Sequence, residues 1–367
     1  MKRRAVKVRL YPNKEQEKLI IKTFGCCRKL YNVMINDVQD YYKTHGSFKI
    51  LTPASYKKEY TYMKEVDSLA LANVQLDLKA AFKSFFKKIS NFPRFKSKKN
   101  PVQTYTTNFV NNNIEVTDKY IKLPKLGFVR YKHHRIFENA RLKSVTIRKS
   151  SANKYFASLL YEISESEKQA SDINIKEENV LGIDYTMGSL GMYSNGECAN
   201  YPKYYNKSLS KLKREMRKLS KCTLRSKNYY KQKLKVAKVH ERITNQRLDF
   251  IHKETLRLAN SYAAVVVEDL DLKEMSKDYG KSIHDNAYST FLNILEYKLK
   301  DRGHRLIKIN KYYPSSKKCS MCGKVNDDLK LSQRTYICEC GNISNRDLNA
   351  AINIKNEGIR MLKEQLA

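Results

Sequence analysis

The sequence predicts a chain of two parts, a first part of strands and helices followed by an α/β part with a small metal-binding insertion. Three observations predict this fold class. Before residue 163, segments with alternating apolar residues flank long amphipathic helical patterns. Beyond residue 180, apolar strand patterns alternate with helical ones, which is typical of a sheet with parallel strands. Between residues 319 and 340, four cysteines stand at metal-ligand spacing.

The first part is predicted to be a β domain interrupted by a helical domain. Residues 1–11 alternate apolar and basic side chains, and residues 100–163 contain two hairpin-like patterns. Residues 12–99 are helical: Asn13 precedes a long first helix, and residues 67–88 predict a second one. The apolar stripe of the second helix, which we expect to be core, comprises Leu71, Val74, Leu78, Ala81, Phe82 and Phe85.

The second part follows a polar stretch at residues 164–179, which lacks aromatic residues and predicts a linker. Residues 180–367 then alternate strand and helix patterns, which predicts an α/β domain. The predicted strands lie at 180–183, 189–195, 262–272 and 304–313, and the predicted helices at 207–247, 286–303 and 345–367. The cysteine cluster interrupts this order before the last helix.

The composition favours a polyanionic partner. The chain has 72 Lys and Arg against 37 Asp and Glu, a net charge of +35, and a pI of about 9.7. Such a surface could also serve solubility or a membrane surface, but many of the 26 tyrosines stand beside basic residues, as in proteins that stack bases. The one-sign charge of residues 207–247 predicts a helical hairpin that faces nucleic acid.

The sequence favours a cytoplasmic protein. The basic N-terminus has no apolar core of a signal peptide, and no apolar run approaches the ~18 residues of a membrane span. Clustered rather than dispersed cysteines are typical of a metal site in a reducing compartment, not of a disulfide framework. We therefore expect no membrane partner.

Four of the eight cysteines form two close pairs, Cys319 with Cys322 and Cys338 with Cys340. Two thiolate pairs at this spacing predict a tetrahedral site, and zinc suits four soft ligands without redox chemistry. A glycine follows each pair and permits a tight turn, although the second pair is one residue shorter than the usual spacing. The alternative is four unrelated reduced thiols. A site with four protein ligands is closed and therefore structural.

Carboxylates follow two of the predicted strands. Asp184 directly follows the apolar strand at 180–183. Glu268 stands at the end of an independent apolar strand, and Asp269 beside it is the alternative candidate for the same role. Parallel strands finish at the same sheet edge, where α/β proteins place their sites. Asp347, at the start of the last helix, could join them and complete an oxygen-ligand site for divalent cations. Two magnesium ions about 4 Å apart could then activate a water and stabilise the leaving oxygen of a phosphodiester.

These segments resemble a known family. The C-terminal motifs "GIDYTMGSLGMYSNGE", "VVVEDLDLKEM", "YYPSSKKCSMCG" and "CECGNISNRDLNAAINI" are similar to the RuvC and zinc-finger motifs of TnpB. TnpB proteins are transposon-encoded, RNA-guided DNA nucleases related to type V CRISPR effectors. The N-terminal stretches "RLYPNKEQ", "CRKLYN", "NFPRFKSK" and "LPKLGFVRY" fit as well, so the resemblance covers nearly the whole chain.

The resemblance implies an architecture. Residues 1–11 and 100–163 would form a wedge β-barrel of the oligonucleotide-binding type, interrupted by a helical recognition domain at 12–99. An RNase H-like RuvC nuclease domain would occupy 180–367, with a zinc ribbon at about 313–345.

The resemblance also implies the site and the partners. Asp184, Glu268 and Asp347 would be the RuvC-type catalytic triad and hold magnesium, and the four cysteines would hold zinc. The partners would be a guide RNA from the transposon end and a double-stranded target DNA. The protein would be cytoplasmic and nucleoid-associated in a prokaryote.

The sequence departs from the family pattern without losing a carboxylate. Thr186 and Met187 replace a glycine and an apolar residue, and Asn345 stands where an aspartate is common. We therefore expect an active enzyme. The alternatives are a guided repressor that does not cleave or a transposition accessory protein. A transposase of the His-hydrophobic-His type is disfavoured, because the adjacent His133 and His134 do not flank one residue.

Overall fold

A computed structural model describes residues 2–100, 102–132, 137, 140–163, 176–330 and 332–366. The chain divides into two compact units, Met1–Ser166 and Glu167–Ala367. Most of the predicted linker (residues 164–175) and the pair His133–His134 lie outside the described residues. Among the helices that the structure describes, none combines the length and apolarity needed to cross a membrane.

The first unit contains one antiparallel sheet of seven strands. The strands are β1 (Lys2–Tyr11), β2 (Gln103–Asn108), β3 (Glu115–Val116), β4 (Tyr120–Leu123), β5 (Gly127–Tyr131), β6 (Ala140–Lys149) and β7 (Tyr155–Ile163). Their order is β2-β6-β7-β1-β5-β4-β3, so the first strand pairs with strands from the end of the unit. Closure of this sheet into a barrel stays a prediction.

Three helices, α1 (Lys14–His45), α2 (Pro53–Glu59) and α3 (Ser68–Phe86), lie between β1 and β2 in the chain. Asn13 starts α1 with a capping box, in which its side chain accepts from the Gln16 amide and the Gln16 side chain accepts from the Asn13 amide. The buried stripe of α3 packs against α1 and the sheet in one core. The two long predicted helices are thus confirmed, whereas the short α2 was not predicted.

The second unit contains an α/β sheet with helices on both faces. Its strands are β8 (Val180–Asp184), β9 (Met192–Tyr193), β10 (Ala264–Glu268) and β11 (Arg305–Ile309). Its helices are α4 (Tyr204–Ser220), α5 (Lys227–Ser261), α6 (Leu272–Asn286), α7 (Tyr288–Lys300) and α8 (Arg346–Leu366). The sheet order is β11-β10-β8-β9, and β8, β10 and β11 run parallel. The predicted parallel sheet is confirmed, whereas α6 was not predicted.

Alternation along the central strand explains the layers of this unit. Val265 and Val267 of β10 belong to a core shared with α5 and α7, while Ala264 and Val266 belong to the core on the other face, shared with α8. Successive residues of a strand point to opposite faces, so a strand that is covered on both sides is apolar throughout. This explains the continuous apolar run of β10.

Gly182 sets how closely α8 approaches the sheet. A Cβ atom at Gly182 would lie 2.1 Å from the Ala351 carbonyl oxygen and 2.6 Å from the Lys355 amide nitrogen. Both atoms belong to the backbone of α8, so no side-chain rotation could relieve the clash. The helix therefore crosses β8 at a distance that only glycine permits.

Replacing Gly182 with alanine is expected to lower the melting temperature, because α8 must move away from β8 and its core contacts loosen. Overpacking of this kind costs about 1–3 kcal/mol or more. Thermal unfolding measures the effect. The matched control is Gly25→Ala in α1, where the nearest atom to a new Cβ is 4.0 Å away and a gain in stability is expected. Equal melting temperatures for Gly182→Ala and wild type would contradict the close packing.

The metal-binding insertion lies between β11 and α8. Two short strands, β12 (Thr335–Ile337) and β13 (Ile343–Asn345), pair in antiparallel fashion. An isolated bridge between Lys318 and Val325 holds the preceding turn. Strand β13 runs directly into α8, so the insertion and the last helix share a boundary.

Candidate functional site

The structure places Asp184 and Glu268 at the same edge of the parallel sheet. Asp184 is the last residue of β8 and Glu268 the last residue of β10, and their neighbours Ile183 and Val267 are register partners. The strands therefore deliver the two carboxylates side by side at their carboxyl ends, as parallel pairing requires.

Asp184 has an unusual electrostatic environment. Its pKa is raised well above its ordinary value by burial first, then by the negative charges of Glu268 and Asp347, while the positive charge of Arg346 opposes the shift. Carboxylates affect one another in this way only when they are near neighbours. Like charges brought together in a poorly hydrated place favour a cation between them.

Glu268 is held by a residue far away in sequence. The Ser315 hydroxyl donates to Glu268 Oε1 at 2.5 Å, and Ser315 is buried. Burial raises the pKa of Glu268, and this hydrogen bond opposes the shift. Its rival Asp269 is exposed and forms an ion pair with Lys308 at 3.5 Å. The geometry thus favours Glu268 as the neighbour of Asp184.

Asp347 lies in the first turn of α8 and is half-buried. The side chain of Asn345 accepts hydrogen bonds from the amides of Asp347 at 2.9 Å and Leu348 at 3.2 Å. Asn345 therefore caps the helix, a role for which asparagine and aspartate are equally suited. This departure from the family pattern leaves the start of α8, and the position of Asp347, intact.

The turn after Asp184 accommodates its unusual residues. The hydroxyl groups of Thr186 and Ser189 are 2.6 Å apart, and the Leu190 amide donates to the Thr186 carbonyl. Thr186 is not among the residues with a positive φ, so this position does not need glycine. The hydroxyl pair instead closes the turn.

The four cysteines converge. Cys319 and Cys340 place their Sγ atoms 3.6 Å apart, as do Cys322 and Cys338, and all four Sγ atoms lie within 4.8 Å of one another. Within the described residues no other group of three or more candidate ligands is this compact; the three carboxylates are spaced more widely. Four thiols at this separation fit a tetrahedral zinc ion.

The two turns at this cluster have the geometry that the sequence predicts. Gly323 (φ 78°) and Gly341 (φ 89°) are in the left-handed region. Their amides donate to the backbone carbonyls of Cys319 and Cys338 respectively. Burial would raise the pKa of the Cys319 thiol, but backbone amides and the Asn342 side chain donate to its sulfur and lower the pKa to about 6. These donors favour the thiolate that a metal requires.

Two buried asparagines of α8 tie the helix to the cysteine cluster. Asn349 accepts from the Ser320 amide at 2.9 Å and donates to the Lys318 carbonyl at 2.7 Å. Asn353 donates to the carbonyls of Ser315 and Lys318 at 2.8 and 2.6 Å. Ser315 in turn holds Glu268, so one hydrogen-bond network joins the cluster, α8 and the carboxylate edge.

The sequence analysis missed Ser315, Asn349 and Asn353. The available signal was the spacing of the two asparagines: they stand one helical turn apart, beside the small buried residues Ala350 and Ala351. Polar residues on the apolar stripe of a helix need partners.

A basic surface covers the paired helices α4 and α5. The buried Glu215 accepts from the Gln232 side chain at 2.7 Å and so joins the two helices. The exposed side of α4 carries a row of side chains at helical spacing, namely Ser210, Lys213, Arg214, Arg217, Lys218 and Lys221. No Asp or Glu belongs to this row, so its charge is of one sign and suits phosphate groups. The helical hairpin predicted at residues 207–247 is confirmed, and its facing nucleic acid stays a prediction.

Three family descriptions match consecutive parts of the chain. A helix-turn-helix domain matches residues 1–47, a family described as "Probable transposase" (OrfB_IS605) matches residues 158–278, and the Cas12f1-like TNB domain matches residues 288–354. The last of these includes the cysteine cluster and the start of α8. In the structure, the region matched by the first consists of β1 and the single long helix α1.

Two relatives match over nearly the whole chain. A protein of Streptomyces pristinaespiralis named "Putative RNA-guided DNA endonuclease" is 33% identical over 97% of this chain and 90% of its own length. "Putative RNA-guided DNA endonuclease InsQ" of Escherichia coli K12 is 29% identical over 99% and 94%. The fold is similar to that of a chain in the Cas12f1–sgRNA–target DNA complex, with a TM-score of 0.57, 16% identity and coverage of 97% and 99%.

Proposed function

Because the chain belongs to the TnpB family of RNA-guided DNA endonucleases, we propose that it cuts double-stranded DNA at the site of Asp184, Glu268 and Asp347. One observation carries this assignment to the site: the paired parallel strands β8 and β10 bring Asp184 and Glu268 to one sheet edge, where the charges of Glu268 and Asp347 act on Asp184. Mutual repulsion among three carboxylates is costly unless a cation binds there.

The three carboxylates would hold divalent cations, and magnesium suits this oxygen donor set. Magnesium bound there would activate a water and stabilise the leaving oxygen of a phosphodiester. The chain's own residues supply the arrangement. The Ser315 hydroxyl donates to Oε1 of Glu268 and leaves the second carboxylate oxygen available to a cation. The positive charge of Arg346 lies close enough to act on Asp184. Asn345 holds the first turn of α8, which carries Asp347.

Zinc in the four-cysteine cluster would be structural. Four thiols fill a tetrahedral shell, so such an ion offers no open position for a substrate. Its contribution would be the path of the chain from Ser315 to α8, which the hydrogen bonds of Asn349 and Asn353 tie to the cluster.

The partners would be a guide RNA derived from the transposon end and a double-stranded DNA target. Base pairing with the guide would select the target, so the protein needs a basic surface more than a base-reading one. The net charge of +35 and the row of basic side chains on α4 support this role. So large a positive charge would also favour binding of the protein to the nucleoid.

The test is to express the protein together with its native flanking DNA and to sequence the RNA that copurifies. A discrete RNA with a variable end is expected. The purified complex should cut a DNA that matches the variable end in the presence of magnesium, and should spare a mismatched DNA. Random RNA fragments would contradict guiding. Specific binding without cutting would instead identify a guided repressor.

A further inference from the structure

Tyr288 is a buried residue whose hydroxyl group has no hydrogen-bond partner among the described residues. It is the first residue of α7, is 1% exposed, and stacks on Phe291 with ring centroids 5.8 Å apart. A buried hydroxyl without a partner costs free energy, so phenylalanine would be the more stable choice for packing alone. The hydroxyl therefore points to a partner that it gains when a ligand binds nearby.

The surroundings of Tyr288 identify that partner. Its ring lies 4.4 Å from the ring of Tyr185, which directly follows Asp184 in the chain. Burial raises the pKa of the Tyr288 phenol, and the negative charges of Asp184 and then Glu268 raise it further. The hydroxyl group thus lies within the electrostatic field of the two strand-end carboxylates.

We infer that Tyr288 is a positioning residue of the carboxylate site, whose hydroxyl donates a hydrogen bond to Asp184 when Asp184 binds a divalent cation. This inference rests on the proposed function, because it needs a cation at that site. A carboxylate ligand presents one oxygen to the cation and has a second oxygen that can accept a hydrogen bond. A donor behind a ligand fixes its orientation and strengthens the metal site.

Tyr193 provides a matched control. It is also 1% exposed and belongs to the same core as Tyr288, but its hydroxyl donates to Glu254 Oε1 at 2.6 Å. Replacing either tyrosine with phenylalanine preserves the ring and removes one hydroxyl. If the Tyr288 hydroxyl stabilised the folded core through a hydrogen bond, as the Tyr193 hydroxyl does, the two substitutions would have the same effect, namely lower stability.

The experiment measures Mn²⁺ binding by calorimetry and thermal unfolding without divalent cations, on the full chain with its zinc. The proteins are wild type, Tyr288→Phe, Tyr193→Phe and Asp184→Ala. Tyr288→Phe should bind Mn²⁺ roughly 10–100-fold more weakly than wild type, as expected for loss of a donor behind a ligand, with an equal or higher melting temperature. Tyr193→Phe should bind Mn²⁺ like wild type and melt at a lower temperature.

Each other outcome overturns the inference in a distinguishable way. If Tyr288→Phe binds Mn²⁺ as tightly as wild type while Asp184→Ala does not, the role of Tyr288 is wrong and the cation site stands. If Asp184→Ala also binds like wild type, the cation site itself is wrong, and the role of Tyr288 fails with it. If Tyr288→Phe melts as early as Tyr193→Phe, the hydroxyl already has a partner in the cation-free protein.

Discussion

Replacing Asp184 with alanine is expected to abolish DNA cleavage while guide RNA and target DNA remain bound. The pKa of Asp184 is raised by burial and by the charges of Glu268 and Asp347, and Asp184 would contribute a cation ligand rather than a phosphate contact. Loss of ~4 kcal/mol of transition-state stabilisation lowers the rate about a thousandfold. Glu268→Ala and Asp347→Ala should behave alike. Cleavage with magnesium and gel-shift binding measure the two effects separately.

Asp269→Ala is the matched control, since this neighbour of Glu268 is exposed and pairs with Lys308 at 3.5 Å. It should cut like wild type. A variant of Asp184, Glu268 or Asp347 that cuts normally would remove that residue from the site. If Glu268→Ala cuts and Asp269→Ala does not, the assignment must move to the neighbouring carboxylate.

The carboxylate of Asp184 is expected to lower the stability of the cation-free protein at neutral pH. The pKa of Asp184 lies above its ordinary value of 3.8 in the folded protein, so folding becomes less favourable as the pH rises from near 4 through the raised pKa. An asparagine side chain at this position does not titrate, so it does not lower the stability as the pH rises. Without divalent cations, Asp184→Asn should therefore melt at a higher temperature than wild type at neutral pH, and the difference should shrink as the pH falls towards 4.

The strands and their carboxylates could be predicted because their signal is local. The apolar run that ends in Glu268 can be recognised from a few residues, and so can the one that ends in Asp184. Once both are strands of one parallel sheet, their common edge follows from topology. The cysteine pairs are predictable for a similar reason, since each pair lies within a single turn.

Ser315 and Asn353 could not be assigned from the sequence because their partners are distant. The Ser315 hydroxyl bonds Glu268, 47 positions away, and the Asn353 side chain bonds the Lys318 carbonyl, 35 positions away. The helix α6 was missed for a different reason: its sequence is largely polar and contains Gly280, which lowers helix propensity. Tertiary contacts, rather than local propensity, decide such elements.

Removing one cysteine ligand, as in Cys338→Ser, is expected to release zinc and lower cleavage roughly hundredfold, an effect typical of a catalytic group that is misplaced by about 1 Å. Metal binding and local folding are coupled, so the turns around Gly323 and Gly341 should loosen when the ion is lost. The sheet core contains no residue of the β12–β13 hairpin, and the protein should stay folded.

The path from the cysteine cluster to the carboxylate edge is a series of hydrogen bonds. Cys319 lies between Lys318 and Ser320, which both bond Asn349 of α8, and Asn353 bonds the carbonyl of Ser315, the residue that holds Glu268. Loss of zinc should therefore disturb both Asp347, at the start of α8, and Glu268. The control is Cys222→Ser, outside the cluster, which should retain zinc and full activity.

Bound zinc, thermal unfolding and cleavage are measured on wild type and both cysteine variants. Wild type should hold about one zinc per chain. A Cys338→Ser protein that has lost its zinc yet cuts at the full rate would show that the asparagine contacts do not transmit the loss to the carboxylates. A wild type without zinc would refute the four-cysteine site itself. If Cys338→Ser fails to fold, the variant Asn353→Ala separates the two effects: it removes the bond to Ser315 and leaves all four cysteines in place, so it should retain zinc and still lose cleavage.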